Sequence, residues 1–201
     1  MALELVLATH NRHKVDEFQR ILGAVVPELL VHGYDGPEPV EDGVSFAENA
    51  LIKARAASEH TGRIALADDS GLCVDVMGGA PGIFSARWAG AHGDGAANLA
   101  LLLDQLGDIR DPHRTARFVC VIALAVPDAG AGSAEHVVVG EWSGHLATEP
   151  CGSNGFGYDP IFVPDGFAVT AAELAPHIKN DNSHRARAIA NLVPLLRDLV
   201  G

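Results

Sequence analysis

The opening of the sequence constrains the fold more than any other stretch. A short apolar run is followed by a polar, cation-bearing turn and then by a helical period. Leu3 to Ala8 alternates little and is β-compatible, the pattern of a strand buried on both faces. It stops at Thr9-His10-Asn11-Arg12-His13-Lys14, after which Val15, Phe18, Ile21 and Leu22 recur at helical spacing as far as Gly23. A first strand that runs through a polar loop into a first helix predicts an α/β chain. The loop lies where open α/β sheets bind ligands, outside the carboxyl ends of the strands.

The rest of the chain keeps this alternation. Ser45-Phe46-Ala47-Glu48 has the form of a capping box and opens a helix through Ala50, Leu51, Ala54 and Ala57 towards Gly62. Ile64 to Ala67 reads as a short strand ending at Asp68-Asp69-Ser70-Gly71, and Gly78-Gly79-Ala80-Pro81-Gly82 as a tight turn. A helix is predicted over Asn98 to Leu106, with strands over Phe118 to Val126 and His136 to Trp142. The Ala/Gly/Ser segment Asp128 to Ala134 joins those strands as a flexible connection. Thr170-Ala171-Ala172-Glu173 is a second capping box. A last helix starts after Ser183, with Pro194 as its expected kink. With 201 residues, no repeats and no long linker, residues 1–201 read as one α/β domain, a smaller lobe from the middle strands being the alternative.

Charge narrows the partners. Fourteen basic against 26 acidic residues leave a net charge of −12. A surface that acidic argues against nucleic acid and anionic membranes, whose binders carry basic patches. A phosphate-bearing ligand would need local Lys and Arg and a divalent cation. Cys73, Cys120 and Cys151 are far apart and form no CxxC pair, which suits a reducing compartment. The N-terminal run reads as neither signal peptide nor membrane span, so the expectation is a soluble, cytoplasmic protein.

Four polar patterns could carry chemistry. Thr9-x-Asn11-x-x-Lys14 offers a hydroxyl, a carboxamide, an ammonium and helix-start amides to an anion; the plainer account is a capped loop. Asp68-Asp69, with Glu41 and Asp42 upstream, offers oxygen ligands of the kind Mg²⁺ takes; turn formation is the plainer account. Adjacent carboxylates on a strand point to opposite faces, so only one can serve a given site. Gly155-Phe156-Gly157-Tyr158-Asp159 lets backbone approach a ligand while Phe156 stacks on a flat base, or it is simply a turn. Finally, Lys179 precedes Ser183-His184-Arg185, where Ser183 is a natural N-cap. Arg185 then sits at a positive helix end, against its dipole preference, which calls for an anionic or carbonyl-bearing ligand. His10 and His13 lack company of zinc-ligand spacing and read as solvated.

Together with Lys53-Ala54 after the first capping box and Gly79-Ala80-Pro81-Gly82-x-x-Ser85-Ala86-Arg87, these motifs in this order closely resemble the inosine/xanthosine triphosphate pyrophosphatase family, from about residue 5 to 197. The resemblance implies a long twisted mixed sheet flanked by helices, in two lobes with a nucleotide cleft between them, and a homodimer. It implies hydrolysis of aberrant purine nucleoside triphosphates to monophosphate and pyrophosphate with Mg²⁺. Carried over, Thr9, His10, Asn11, Arg12, His13, Lys14 and Lys53 would hold the triphosphate. Asp69 would be the general base and a metal contact, and Ser70 would touch substrate. Phe156, Gly157, Tyr158, Asp159, Lys179, His184 and Arg185 would bind the nucleoside. Many relatives carry two acids in the loop before Ser45; here the run is Val40-Glu41-Asp42-Gly43, with Val40 at the place of the first acid, so the second metal contact falls to Glu41 or Asp42, with Glu41 preferred.

Other classes fit less well. A pyrimidine-pool pyrophosphatase would need a different base pocket from the one Ser183-His184-Arg185 implies. A sensor without turnover gains nothing from Asp69 beside lysines. A Ser183–His184 hydrolase fails because neighbours on a helix diverge by about 100°.

Overall fold

The computed structural model of the protein describes residues 3–127 and 134–200. Its sheet has six strands: β1 (Leu3–Leu7), β2 (Leu29–Gly33), β3 (Ile64–Val74), β4 (Thr115–Val126), β5 (Ala134–Leu146) and β6 (Phe162–Pro164), in the order β2-β1-β3-β4-β5-β6. β1 pairs in parallel with β2 (Leu5 opposite Val31) and with β3 (Leu5 opposite Ile64), while β6 runs antiparallel to β5. The sheet is mixed, as expected. The helices are α1 (Arg12–Val25), α2 (Phe46–Thr61), α3 (Gly95–Gln105), α4 (Pro176–Asn182) and α5 (His184–Val200).

Local signals place most of these ends. Asn11 caps α1 by accepting from the Lys14 amide at 3.3 Å, and Ser45 caps α2 by accepting from the Glu48 amide at 3.2 Å. Glu48 completes the box one residue early, accepting from the Val44 amide at 2.7 Å. Gly62 ends α2 in the left-handed region, at φ 64°, which a residue with a Cβ rarely adopts. Ser183 accepts from the Ala186 amide at 3.2 Å at the start of α5, which runs through Pro194.

Three expectations change. The predicted stop at Gly23 is overrun by two residues, because α1 ends only at Val25. The strand predicted to end at Ala67 continues to Val74, so Asp68 and Asp69 lie inside β3 rather than at its end. Sheet pairing outweighs the poor strand propensity of acids and glycine. The Thr170/Glu173 box closes, with Glu173 Oε2 2.8 Å from the Thr170 amide, but turns follow and the next helix starts at Pro176. Asp128 to Ser133 of the predicted connection lie outside the described residues, and Ala134 opens β5.

The chain forms two compact units. One comprises residues 1–69, 121–139 and 188–201; the other, residues 70–120 and 140–187. In the second, Trp142, Phe118 and Phe162 form a buried aromatic cluster, with Phe118 and Phe162 edge to face at 4.7 Å. Arg114 lies against this core, 3% exposed, with its guanidinium donating to four carbonyls: Nε to Leu146 (2.8 Å), Nη1 to Leu106 (2.8 Å) and Ile109 (3.1 Å), and Nη2 to Ala147 (2.9 Å). A planar donor fork thus ties together loop and strand-end carbonyls, of which the Leu106 carbonyl also accepts from the Ile109 amide at 3.0 Å. Arg114→Met is expected to cost about 3 kcal/mol or more in urea unfolding, since each orphaned buried acceptor costs roughly 1–3 kcal/mol. A loss below about 1 kcal/mol would mean that water replaces the fork.

Candidate active site

Two clusters gather the predicted site residues. The first lies in the unit that contains residues 1–69. There β3 sends its two neighbouring carboxylates to different lysines, as the strand's alternation requires. Lys14, in the first turn of α1, pairs with buried Asp68 at 2.5 Å. Lys53, on α2, lies 3.6 Å from Asp69 Oδ1 and 3.2 Å from Glu41 Oε2. Of the two upstream acids, Glu41 is the one the structure pairs with this lysine. The Lys53 and Asp69 side chains are 15% and 16% exposed, so both charges sit in a largely desolvated setting.

Burial pushes the Asp69 carboxyl above its usual range, and Glu41 and Asp68 push the same way. Lys53 and a hydrogen bond with Asn49 pull it down. Asn49 is a positioning residue that sequence reasoning missed. It is 1% exposed, and its Oδ1 also accepts from the Gly43 amide at 2.9 Å, which ties the acid-bearing loop to α2. A Cβ on Gly43 would stand 2.6 Å from that Oδ1, so only glycine lets the loop lie this close. Asp68, given no separate role from sequence, is the second omission; its signal was the adjacent acid and the lysine of α1.

Of the first loop, Thr9 Oγ1 accepts from the Asn11 amide at 3.2 Å, so both polar side chains make local caps. Thr9, His10 and Arg12 line a cavity of about 550 Å³ together with Tyr34. His10 is exposed, as expected, and its ring stacks on Tyr34 at 5.9 Å, with Nδ1 3.2 Å from Glu38 and Nε2 3.0 Å from the Gly36 carbonyl. His13 falls in the first turn of α1, and its side chain lies outside the described residues.

The second cluster lies in the other unit and surrounds a cavity of about 260 Å³. Ser70, Phe156, Gly157, Tyr158, Asp159, Lys179 and His184 all line it. Arg185 is half-buried in the first turn of α5 and is not among the lining residues. The His184 ring stacks on Phe118 at 5.0 Å and 16°. Tyr158 is 5% exposed and donates its hydroxyl to the Ser85 carbonyl at 2.9 Å. Burial pushes its phenol up to about 12, so it stays a neutral donor. Ser85 Oγ in turn accepts from the Leu72 amide at 2.9 Å and donates to the Gly82 carbonyl at 2.6 Å. The Gly79-to-Arg87 motif, which had no assigned role, thereby ties β3 to one wall of the cavity.

The whole-chain comparisons agree with these motifs. The Ham1 family profile matches residues 5–195. The chain belongs to the Ham1 family. It is 64% identical over 197 residues to a dITP/XTP pyrophosphatase of Leifsonia xyli, covering 98% of this chain and 97% of that one. A dITP/XTP pyrophosphatase of Streptomyces coelicolor is 54% identical, with 98% of both chains covered. Among solved structures, a HAM1 protein from Coxiella burnetii superposes with a TM-score of 0.89 at 42% identity, covering 98% of this chain and 99% of that one. A nucleoside-triphosphatase / dITP/XTP pyrophosphatase from Mycobacterium abscessus gives 0.81 at 48% identity, covering 96% and 100%. The pyrophosphatase resemblance carried by the motifs is thus borne out along the Ham1 chain. No helix among its described residues is long and apolar enough to cross a membrane.

Proposed function

We propose that this chain hydrolyses noncanonical purine nucleoside triphosphates (dITP, ITP and XTP) to the monophosphate and pyrophosphate, with Asp69 as general base. The observation that carries the reading is the setting of Asp69: a carboxylate raised in pKa by burial, flanked by Lys53 and tied to Asn49. A raised carboxyl is a better proton acceptor than a solvated one and suits activation of water. The Leifsonia and Streptomyces relatives, both dITP/XTP pyrophosphatases, support the same reaction. Residues 1–201 act in it as one catalytic domain.

The roles divide by chemistry. Thr9 to Lys14 and Lys53 supply donors and positive charge to the triphosphate, which answers how a protein of net charge −12 binds a polyanion. Phe156 to Asp159, Lys179, His184 and Arg185 hold the nucleoside, and Ser70 contacts the substrate beside the base. Phosphoryl transfer of this kind is mainly positioning and electrostatics. Among the described residues no group of three or more His, Cys, Asp or Glu is placed to hold a metal ion. The oxygen-only pair Asp69 and Glu41 still fits Mg²⁺, which takes one or two carboxylates and completes its shell with water and phosphate. When bound, Mg²⁺ offsets charge on the phosphate oxygens. The reading includes a cytoplasmic homodimer.

Products test the reaction. With dITP and Mg²⁺ in ¹⁸O-water, one pyrophosphate per monophosphate is expected, with the label on the monophosphate. Diphosphate and orthophosphate would mean attack at the terminal phosphorus and a different enzyme.

A further inference from the structure

The loop that carries Phe156 is closed around a buried ion pair. Asp159 is 3% exposed, and a single oxygen, Oδ2, accepts both from the Phe156 amide at 2.7 Å and from Lys179 Nζ at 2.5 Å. The same ammonium lies 5.0 Å from the centre of the Phe156 ring, within cation–π range. Phe156 itself is 71% exposed, so packing does little to hold its ring. Gly155, at φ 78°, has no room for a side chain: a Cβ there would run into Asp159 Oδ2 and stand 2.9 Å from Lys179 Nζ. The loop is anchored behind the pair by the Asp159 amide on the Phe156 carbonyl (3.2 Å) and the Ala172 amide on the Asp159 carbonyl (3.3 Å).

A buried ion pair is a poor device for stability, because desolvation offsets its attraction. Here it sets geometry. We propose that Asp159 is a positioning residue for the base-stacking ring rather than a contact to the base. Its Oδ2 couples the Phe156 amide to the Lys179 ammonium, so that one face of the ring rests on the cation and the other is presented to a planar base. The proposal rests on the reading that Phe156 stacks on the nucleobase. Asp159 then acts on substrate through the ring, its ion pair with Lys179 setting where the ring rests.

The test is a double-mutant cycle on ITP turnover with Mg²⁺, comparing wild type, Asp159→Asn, Phe156→Ala and the double variant, with KM and kcat read separately. Asp159→Asn is expected to raise KM about tenfold with little change in kcat, the size of one lost charged hydrogen bond. In the Phe156→Ala background the same change should cost less than about twofold. An equal cost in both backgrounds would overturn the proposal, because the ring would then carry none of the effect of Asp159. If Asp159→Asn does not fold, Gly155→Ala crowds the same carboxylate and takes its place in the cycle, read in the same way. A second arm needs no turnover: in the ligand-free protein, Asp159→Ala should speed hydrogen exchange of the Phe156 amide about tenfold or more. Unchanged exchange would sink the positioning role even if ITP is hydrolysed. Accelerated exchange in a protein that leaves ITP intact would keep the coupling and overturn the nucleotide reading instead.

Discussion

Asp69→Asn is expected to lower dITP turnover by about 10²–10⁴-fold, the range for loss of a general base, with more lost if metal binding goes too. A variant keeping more than roughly a third of the wild-type rate would remove Asp69 from the chemistry. The same change should not weaken the fold. The folded carboxyl titrates above its usual range, chiefly through burial, so ionised Asp69 costs stability at any pH above that value. The cost fades as pH falls through the folded value towards the unfolded one. At neutral pH the neutral Asn removes the cost, and the thermal midpoint should stay level or rise. A drop in midpoint would show that Lys53 depends on Asp69 more than Glu41 can replace. Followed in the metal-free wild-type protein, the acid limb of the Asp69 titration should lie above that of an ordinary aspartate. Lys53→Met, which removes the strongest influence lowering the pKa, should move that limb to still higher pH.

Base selectivity should be the other large effect, with dITP favoured over dATP by roughly 10⁴-fold in kcat/KM, as polar mismatches in a built site allow. Hypoxanthine and xanthine present a carbonyl oxygen at C6 where adenine presents an amino group. The cavity is lined by Lys179, whose ammonium only donates, and by His184. An adenine amine facing such a donor leaves both unpaired. Guanine shares the C6 oxygen and must be excluded at its 2-amino group. With Arg185 assigned to the nucleoside end, Arg185→Ala is expected to narrow the ratio of ITP to dGTP rates, whereas Lys14→Ala should lower rates on all triphosphates by similar factors. The reverse pattern would mean that the two ends of the nucleotide are assigned the wrong way round.

Much of the scaffold around these residues was legible because it is written in local chemistry. The β1 to α1 passage, the capping by Asn11, Ser45 and Ser183 and the αL end at Gly62 each depend on a few consecutive residues. A side-chain oxygen reaches an amide three residues on, and glycine tolerates positive φ, whatever the rest of the chain does. The family was legible for a related reason: six motifs in a fixed order are a property of the string alone.

The partnerships inside the clusters were not legible. Asp68 and Asp69 read as the end of a strand, since acids and glycine are weak strand formers, and only pairing within the sheet carries β3 on to Val74. Each acid's partner is likewise distant in sequence: Lys14 for Asp68, and Lys53, Glu41 and Asn49 around Asp69. The same holds for Tyr158 on Ser85 and Lys179 on Asp159. The sequence by itself determined which residue types could bind phosphate, acid or base, and where helices begin. Only the tertiary structure decided which carboxylate meets which lysine and how far each is removed from water, because charge pairing and desolvation depend on distance in space, and residues far apart in the chain set both.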